Sequence, residues 1–406
     1  MIARKRLDIG WRDLAFGIRS CFWPKAEDVD GFYSEESLEC LSVRSGFDLF
    51  LTALSLPPGS EVLVSALTIP DIPRILRKHG LVPIPVDLDF TTAAPNAASL
   101  RRAISPGTKA ILVAHLFGSR MPMDPILEVA REHGLPVWED CAQAFAGRSF
   151  AGDPGSDVRM FSFGPIKTAT ALGGGVLFVK DVRLRERMVE IQREWPCQSR
   201  IGYLKKVITF GLFKALLAPV PYSIVFRLFR WLGGSEDAVI TRFARSFQGD
   251  EFFFRIRHRP CLALRSLMKH RIRTWEASRL EKRSRAGRDF RNAIPGELCF
   301  GGSAAAHTFW LFPIVCEAPE QWRQRLLQAG FDAARSSTSL MPVAPPPERP
   351  EIGAEVVTKA WGGLLYLPVS PEMKEEERLR LAEAVTHLAR EERERPVFTE
   401  GEASGE

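Results

Sequence analysis

No CxxC pair occurs among the seven cysteines, which are scattered at Cys21, Cys40, Cys141, Cys197, Cys261, Cys299 and Cys316. The odd number and wide spacing speak against a disulfide framework and against a thiolate zinc site; a reduced, cytosolic protein is expected. The opening MIARKRLDIGWRDLAF is basic but has no apolar run of a secretory signal. Internal repeats are absent, which excludes a solenoid. Long uncharged runs are missing too. The most apolar segment, YLKKVITFGLFKALLAPVPYSIVFRLFRWLGG (203–234), is interrupted by Lys214, Pro219, Pro221, Arg227 and Arg230. Charge at mid-span is costly in a bilayer, so this is a poor transmembrane span. It reads as two basic amphipathic helices joined at APVP, packed on the protein or a twin subunit, or lying on a membrane surface. Acid is scarce in the middle of the chain. Residues 196–295 hold 21 Lys+Arg against 7 Asp+Glu, a net +14, while the remainder carries −8. Such a stretch faces phosphate, anionic lipid or nucleic acid, or is a solvated helical face. It carries no nucleic-acid reader motif, so no nucleic-acid partner is expected.

What is present is an alternating α/β pattern in 406 residues, enough for one large domain and a smaller one. From residue 46 to 194, helical periods such as IPRILRKHG and MDPILEVAREHG alternate with short apolar runs: EVLVSA, VPIPVD, KAILVAH, LPVWED, MFSF and GGVLFVK. This predicts βαβ units and a mostly parallel sheet between helices. The expected division is an N-terminal segment 1–40, a large-domain core 41–195, and a basic, partly hydrophobic helical segment 196–299 that completes the large domain and its dimer contacts. A small C-terminal α+β domain at 300–394 follows, built on TFWLFPIV, PEQWRQRLLQAG, LLYLPV and a long final helix, with a disordered tail from 395.

Parallel sheets bind ligands at the carboxyl ends of their strands. Three stretches stand there. VRSGFD opens a helix with Ser45 and Gly46, an anion cradle of backbone N–H groups plus a hydroxyl, or only a cap. WEDCAQAF puts Asp140 at a strand end with Gln143 three residues on. FSFGPIKTATALGGG places Lys167 in a small, apolar, glycine-terminated run, five residues after Ser162. An ammonium is costly to bury unpaired. A phosphate cradle, a sheltered carboxylate and a sheltered amine together suit pyridoxal 5'-phosphate. The amine would bond to its aldehyde and the carboxylate would pair with its ring nitrogen. No metal site is expected.

These stretches make the chain recognisable. It resembles the DegT/DnrJ/StrS family of aminotransferases, closely over about 40–195 and loosely over 300–390. GSEVLVSALTIP is similar to the family's GDEVIvPalTf, and TKAILVAHLFG to its TKaIipVHlyG. WEDCAQAFAGRSFAG, FSFGPIKTATALGGG and LLYLPVSPEM also have counterparts in order. The resemblance implies the fold-type-I pyridoxal-phosphate architecture and a homodimer with sites built from both subunits. It implies that Lys167 holds the cofactor and moves the proton, that Asp140 meets the pyridine nitrogen, and that Gln143 lies near the phenolic oxygen. Ser162, Ser45 and the Gly46 backbone would hold the phosphate. His115, on the family's VH position, is assigned to packing behind the site.

The chain also departs from the family. Phe47 stands where a phosphate-binding threonine is expected, Ile69 where an aromatic ring stacks on the cofactor, and Gly173 where a glutamate precedes the final glycines. In RHRPC, Arg257 replaces an asparagine that reaches the partner's phosphate, and Arg259 matches an arginine. The expected function is transfer of an amino group from a donor such as glutamate to a keto group. The acceptor would be a nucleotide-linked sugar in cell-surface polysaccharide or secondary-metabolite biosynthesis. The alternatives are other pyridoxal-phosphate chemistry (a dehydratase or lyase) or a non-catalytic membrane-surface or regulatory protein with a vestigial site. Relatives that dehydrate sugars carry histidine in place of the lysine, so Lys167 favours transamination. The expected location is cytoplasmic, with peripheral membrane contact through 203–234.

Overall fold

The structure is a computed structural model and describes residues 7–23, 37–148, 150–216, 251–335 and 339–394. The tail from 395 and the second half of the 203–234 segment therefore lie outside the described residues.

Seven strands build the main sheet: β1 (Ser37–Cys40), β2 (Glu61–Ser65), β3 (Val82–Val86), β4 (Thr108–Ala114), β5 (Val137–Asp140), β6 (Val158–Ser162) and β7 (Gly175–Val179). Their spatial order is β1-β7-β6-β5-β4-β2-β3. The run from β3 to β6 is parallel, and β7 is antiparallel to both its neighbours. The inner strands are buried along nearly every residue, as expected for a sheet covered on both faces. Near-continuous apolar runs such as KAILVA are the sequence form of that burial.

Five helices matter for the site: α1 (Trp11–Phe22), α2 (Val43–Leu54), α3 (Arg200–Leu216), α4 (Leu262–Arg273) and α5 (Ala277–Asn292). In α2, Ser42 is the N-cap, accepting from Ser45 N–H at 3.1 Å. Gly46 faces the sheet. A Cβ there would lie 2.3 Å from Leu177 Cδ1, so only glycine lets α2 approach β7 this closely. α1 sits against α3 and α4, where Gly17 faces Val207 and Leu267. Buried Asp13 accepts from Arg271 and, at 3.0 Å, pairs with His270.

A smaller antiparallel pair, Phe312–Val315 with Leu364–Leu367, packs with the helices Pro319–Gln328, Glu355–Gly363 and Glu375–Glu394. The helix Glu355–Gly363 has no counterpart in the sequence reading.

Candidate active site

Asp140 ends β5 and Ser162 ends β6, so both open at the carboxyl edge of adjacent parallel strands. The loop from β6 to β7 carries Lys167 and is tied down along its length. Thr170 Oγ1 donates to the carbonyls of Gly164 (2.6 Å) and Phe163 (3.2 Å). Arg271 Nε donates to Thr170 O at 3.1 Å, and Asp8 accepts from Ala169 N–H at 3.0 Å. Gly174, at φ +90°, leaves no room for a Cβ beside Met268. The lysine is thus presented on a rigid loop.

Lys167 is half-buried, and its Nζ stands 4.4 Å from the centre of the Trp310 ring. Trp310 is fixed by its own Nε1–H, which donates to Ile166 O at 3.1 Å. Burial pushes the Lys167 amine down to about 8; Asp140 opposes this and Arg44 adds to it. Burial also raises the Asp140 carboxyl above its ordinary range, against the Ala142 N–H that donates to it at 2.9 Å and the charge of Lys167. A cationic ring nitrogen beside Asp140 would favour the ionised carboxylate and oppose that shift. Gln143 Oε1 accepts from Phe117 N–H at 2.9 Å, which leaves its amide NH₂ as the donor end.

The helix N-terminus is where the sequence reading needs correction. Ser45 is fully buried and its hydroxyl bonds to Ser42 Oγ at 2.9 Å. Gly46 N–H is taken by Ser42 O at 3.0 Å. Phe47 is fully buried in the core, edge-on to Trp138 with ring centres 6.1 Å apart. The first-turn donors without a partner inside the helix are the N–H groups of Val43 and Arg44, one turn earlier than the sequence reading placed them. Phe47 therefore displaces no phosphate-binding hydroxyl. Phe47→Thr should destabilise the fold by about 3–5 kcal/mol, read by urea denaturation, and leave cofactor affinity unchanged.

Arg257 also moves. Its Nε and Nη2 form a fork with buried Asp48 at 2.8 and 3.0 Å, and His79 pairs with the same carboxylate at 3.0 Å. Burial alone would raise Asp48, but these partners hold it below the usual carboxylate range. Within the chain, Arg257 thereby anchors α2. Arg259 Nε donates to Trp195 O. Ile69 is half-buried beside two core clusters, and Gly173 faces Leu264. His115 lies behind the site: Met121 N–H donates to its Nδ1 (3.0 Å), which leaves Nε2–H to donate to buried Glu139 at 2.7 Å.

Two site residues escaped the sequence reading. Arg44 acts electrostatically on both Lys167 and Asp140 and pairs with Asp71. It sits next to the Ser-Gly pair that drew attention instead. Trp310 was hidden inside the apolar run TFWLFPIV.

The strand order, with one antiparallel strand beside the lysine loop and a carboxylate at the end of the strand next to β6, defines the fold-type-I pyridoxal-phosphate transferase architecture. Residues 33–203 match the model of the DegT/DnrJ/EryC1/StrS aminotransferase family. Over 192 residues the chain is 37% identical to the UDP-N-acetyl-3-dehydro-alpha-D-glucosamine 3-aminotransferase of Acidithiobacillus ferrooxidans, covering 44% of this chain and 52% of that one. It is 37% identical over 156 residues to the GDP-perosamine synthase of Caulobacter vibrioides, 38% of this chain and 42% of that one. The chain spans about half the length of the curated relatives it matches. The fold extends further. The aminotransferase TlmJ of Streptoalloteichus hindustanus superposes with a TM-score of 0.68 at 19% identity, over 96% of this chain and 99% of that one. DesV of S. venezuelae gives 0.65 at 21% identity, over 95% of each.

Proposed function

We propose that the protein is a pyridoxal-phosphate-dependent aminotransferase that moves an amino group from a donor such as glutamate to a keto group on a nucleotide-linked sugar. The observation that carries this is the pairing of a Lys167 amine lowered to about 8 with a sheltered Asp140 at adjacent strand ends. Bound pyridoxal phosphate supplies the electron sink for deprotonating the carbon that bears the amino group. Asp140 would hold its ring nitrogen, Gln143 its phenolic oxygen, and Ser162 with Ser42, Val43 and Arg44 its phosphate. Lys167 would hold the cofactor and then move the proton at the reacting carbon, an amine near 8 being well matched to that exchange near neutral pH. Trp310 shields that amine from water. Ile69 would offer an aliphatic face to the ring.

The names of the curated relatives support a nucleotide-sugar acceptor for this chain. A homodimer in the cytoplasm, with peripheral contact to a membrane, completes the reading. Lys167, Asp140 and Gln143 are all present, which disfavours a vestigial site. The test is the near-visible absorption of the purified protein loaded with pyridoxal phosphate. Glutamate should bleach the band of the lysine-bound cofactor, and a UDP- or GDP-linked keto sugar should restore it. No band, or a band indifferent to every amino donor, would sink the proposal. A pH prediction accompanies it. Capture of the free aldehyde by the apo-protein should rise through a midpoint at about pH 8, because only the neutral amine attacks; a midpoint near 10.5, the ordinary lysine value, would contradict the burial argument.

A further inference from the structure

We infer that α1 and α3 together form a face that docks on an anionic lipid bilayer. The inference does not rest on the aminotransferase reading. The two helices run side by side: Leu14 approaches Gly211, Gly17 faces Val207, and Lys214 Nζ lies 5.8 Å from the Trp11 ring. Each helix buries one side against the core, through Leu14, Gly17 and Cys21 on α1 and Tyr203, Val207 and Phe210 on α3. Each exposes an apolar stripe on the other side.

On α1 the stripe is Trp11, Ala15, Ile18 and Phe22, at the i, i+4, i+7, i+11 spacing of a single helical face, and Trp23 extends it. On α3, Ile201, Ile208 and Leu212 keep the same spacing, with Lys205 in the fourth place and Leu216 at the end. Trp11, Phe22, Trp23, Ile201 and Leu212 are each more than half exposed. Of the fourteen exposed large hydrophobic residues among the described residues, eight lie on this pair, so the exposure is concentrated here.

Charge selects the occupant. Beside the inward-turned Lys206, whose amine lies near Gly173, the two helices carry five basic residues, Arg12, Arg19, Arg200, Lys205 and Lys214, and a single acid, Asp13, which is buried and spent on Arg271 and His270. The face therefore exposes tryptophan, phenylalanine, leucine and isoleucine among cations, with no acid of its own. A second copy meeting it about a two-fold axis would set these cations against themselves. An anionic headgroup layer complements them, while the aromatic and aliphatic side chains enter the acyl boundary. The sequence beyond Leu216 has the same chemistry. Residues 217–234 are mostly apolar, include Arg227 and Arg230, and contain no acid.

The test is flotation of the full-length, cofactor-loaded protein with phosphatidylcholine vesicles and with vesicles of equal phosphatidylcholine and phosphatidylglycerol. Wild type should float with the anionic vesicles, float poorly with the neutral ones, and be released by high salt. The triple variant Trp11→Glu/Phe22→Glu/Leu212→Glu alters only exposed positions. It should keep the wild-type circular dichroism and lose about tenfold or more of the bound fraction. Failure of the wild type to float overturns the proposal. So does a triple variant that floats like wild type, which would place the contact in another segment. A variant that no longer floats but has also changed its oligomeric state by light scattering would assign the face to a second copy and overturn it equally.

Discussion

If the proposed reaction is right, Lys167→Ala should abolish transamination, with a loss on the order of 10²–10⁴-fold in kcat, because one side chain would both anchor the cofactor and carry the proton. The absorption band of the lysine-bound cofactor should disappear while the circular dichroism stays that of the wild type, since Lys167 lies on a loop held by Thr170, Arg271 and Asp8 and not by its own amine. Lys167→Arg should be equally inactive, because a guanidinium stays protonated and cannot attack the aldehyde. Residual turnover within tenfold of wild type would remove Lys167 from the chemistry. It would leave Trp310, which faces it, without the role assigned here. Exogenous small amines offer a further discriminator. Partial rescue of Lys167→Ala by such an amine would show that a proton carrier, and not the shape of the loop, is what the substitution removes.

A large stability effect is also expected at Glu139, immediately behind Asp140. Its carboxylate is fully buried, accepts from His115 Nε2 at 2.7 Å and from Asp153 N–H at 2.8 Å, and is contacted by the Cys141 thiol at 3.3 Å. Burial would raise this carboxyl, but the hydrogen bonds and the neighbouring imidazole hold it below its ordinary value of 4.5. Glu139→Leu leaves His115 Nε2–H, the Asp153 N–H and the Cys141 thiol without this acceptor and should cost about 2–5 kcal/mol in urea denaturation. Glu139→Gln keeps an acceptor and should cost less. The sign of the pH dependence follows. A carboxyl whose folded value lies below its unfolded one contributes fully above about pH 4.5 and is lost as pH falls through the folded value. Asp48 adds to the same acid limb. Wild type should therefore weaken steadily in acid below about pH 4.5, and Glu139→Leu should show a shallower fall. A Glu139→Leu protein as stable as wild type at pH 7 would show that the His115–Glu139 pair merely fills space.

Much of this was legible in the chain. The apolar runs KAILVAH and LPVWED are strands because a doubly covered sheet needs side chains that are apolar on both faces. Lys167 stood out because nothing around it in sequence could pair with an ammonium. The helix start was misread by one turn for a physical reason. Ser-Gly resembles a cradle, but Ser42 is the cap, and the glycine answers to Leu177 on β7, more than 130 positions away. Local spacing cannot reveal which neighbour a glycine makes room for. Arg257 shows the same limit, since its partner within the chain, Asp48, lies 209 positions earlier. The helix Glu355–Gly363 was missed because its start is capped from a distance: Asp87 accepts from the N–H groups of Val356 (3.0 Å) and Val357 (3.1 Å), so the local sequence carries no cap of its own.

The tie between Asp8 and the lysine loop has a consequence for how the molecule opens. Asp8, in the segment before α1, accepts the amide of Ala169, while Arg271 grips both Asp8 and Thr170. These three strands of chain separate together or not at all. In hydrogen exchange, the Ala169 amide should trade its proton only when α1 lifts from α4, so its protection measures the free energy of that lifting. The readiness of the lysine for its cofactor is in this sense stored at the other end of the sequence.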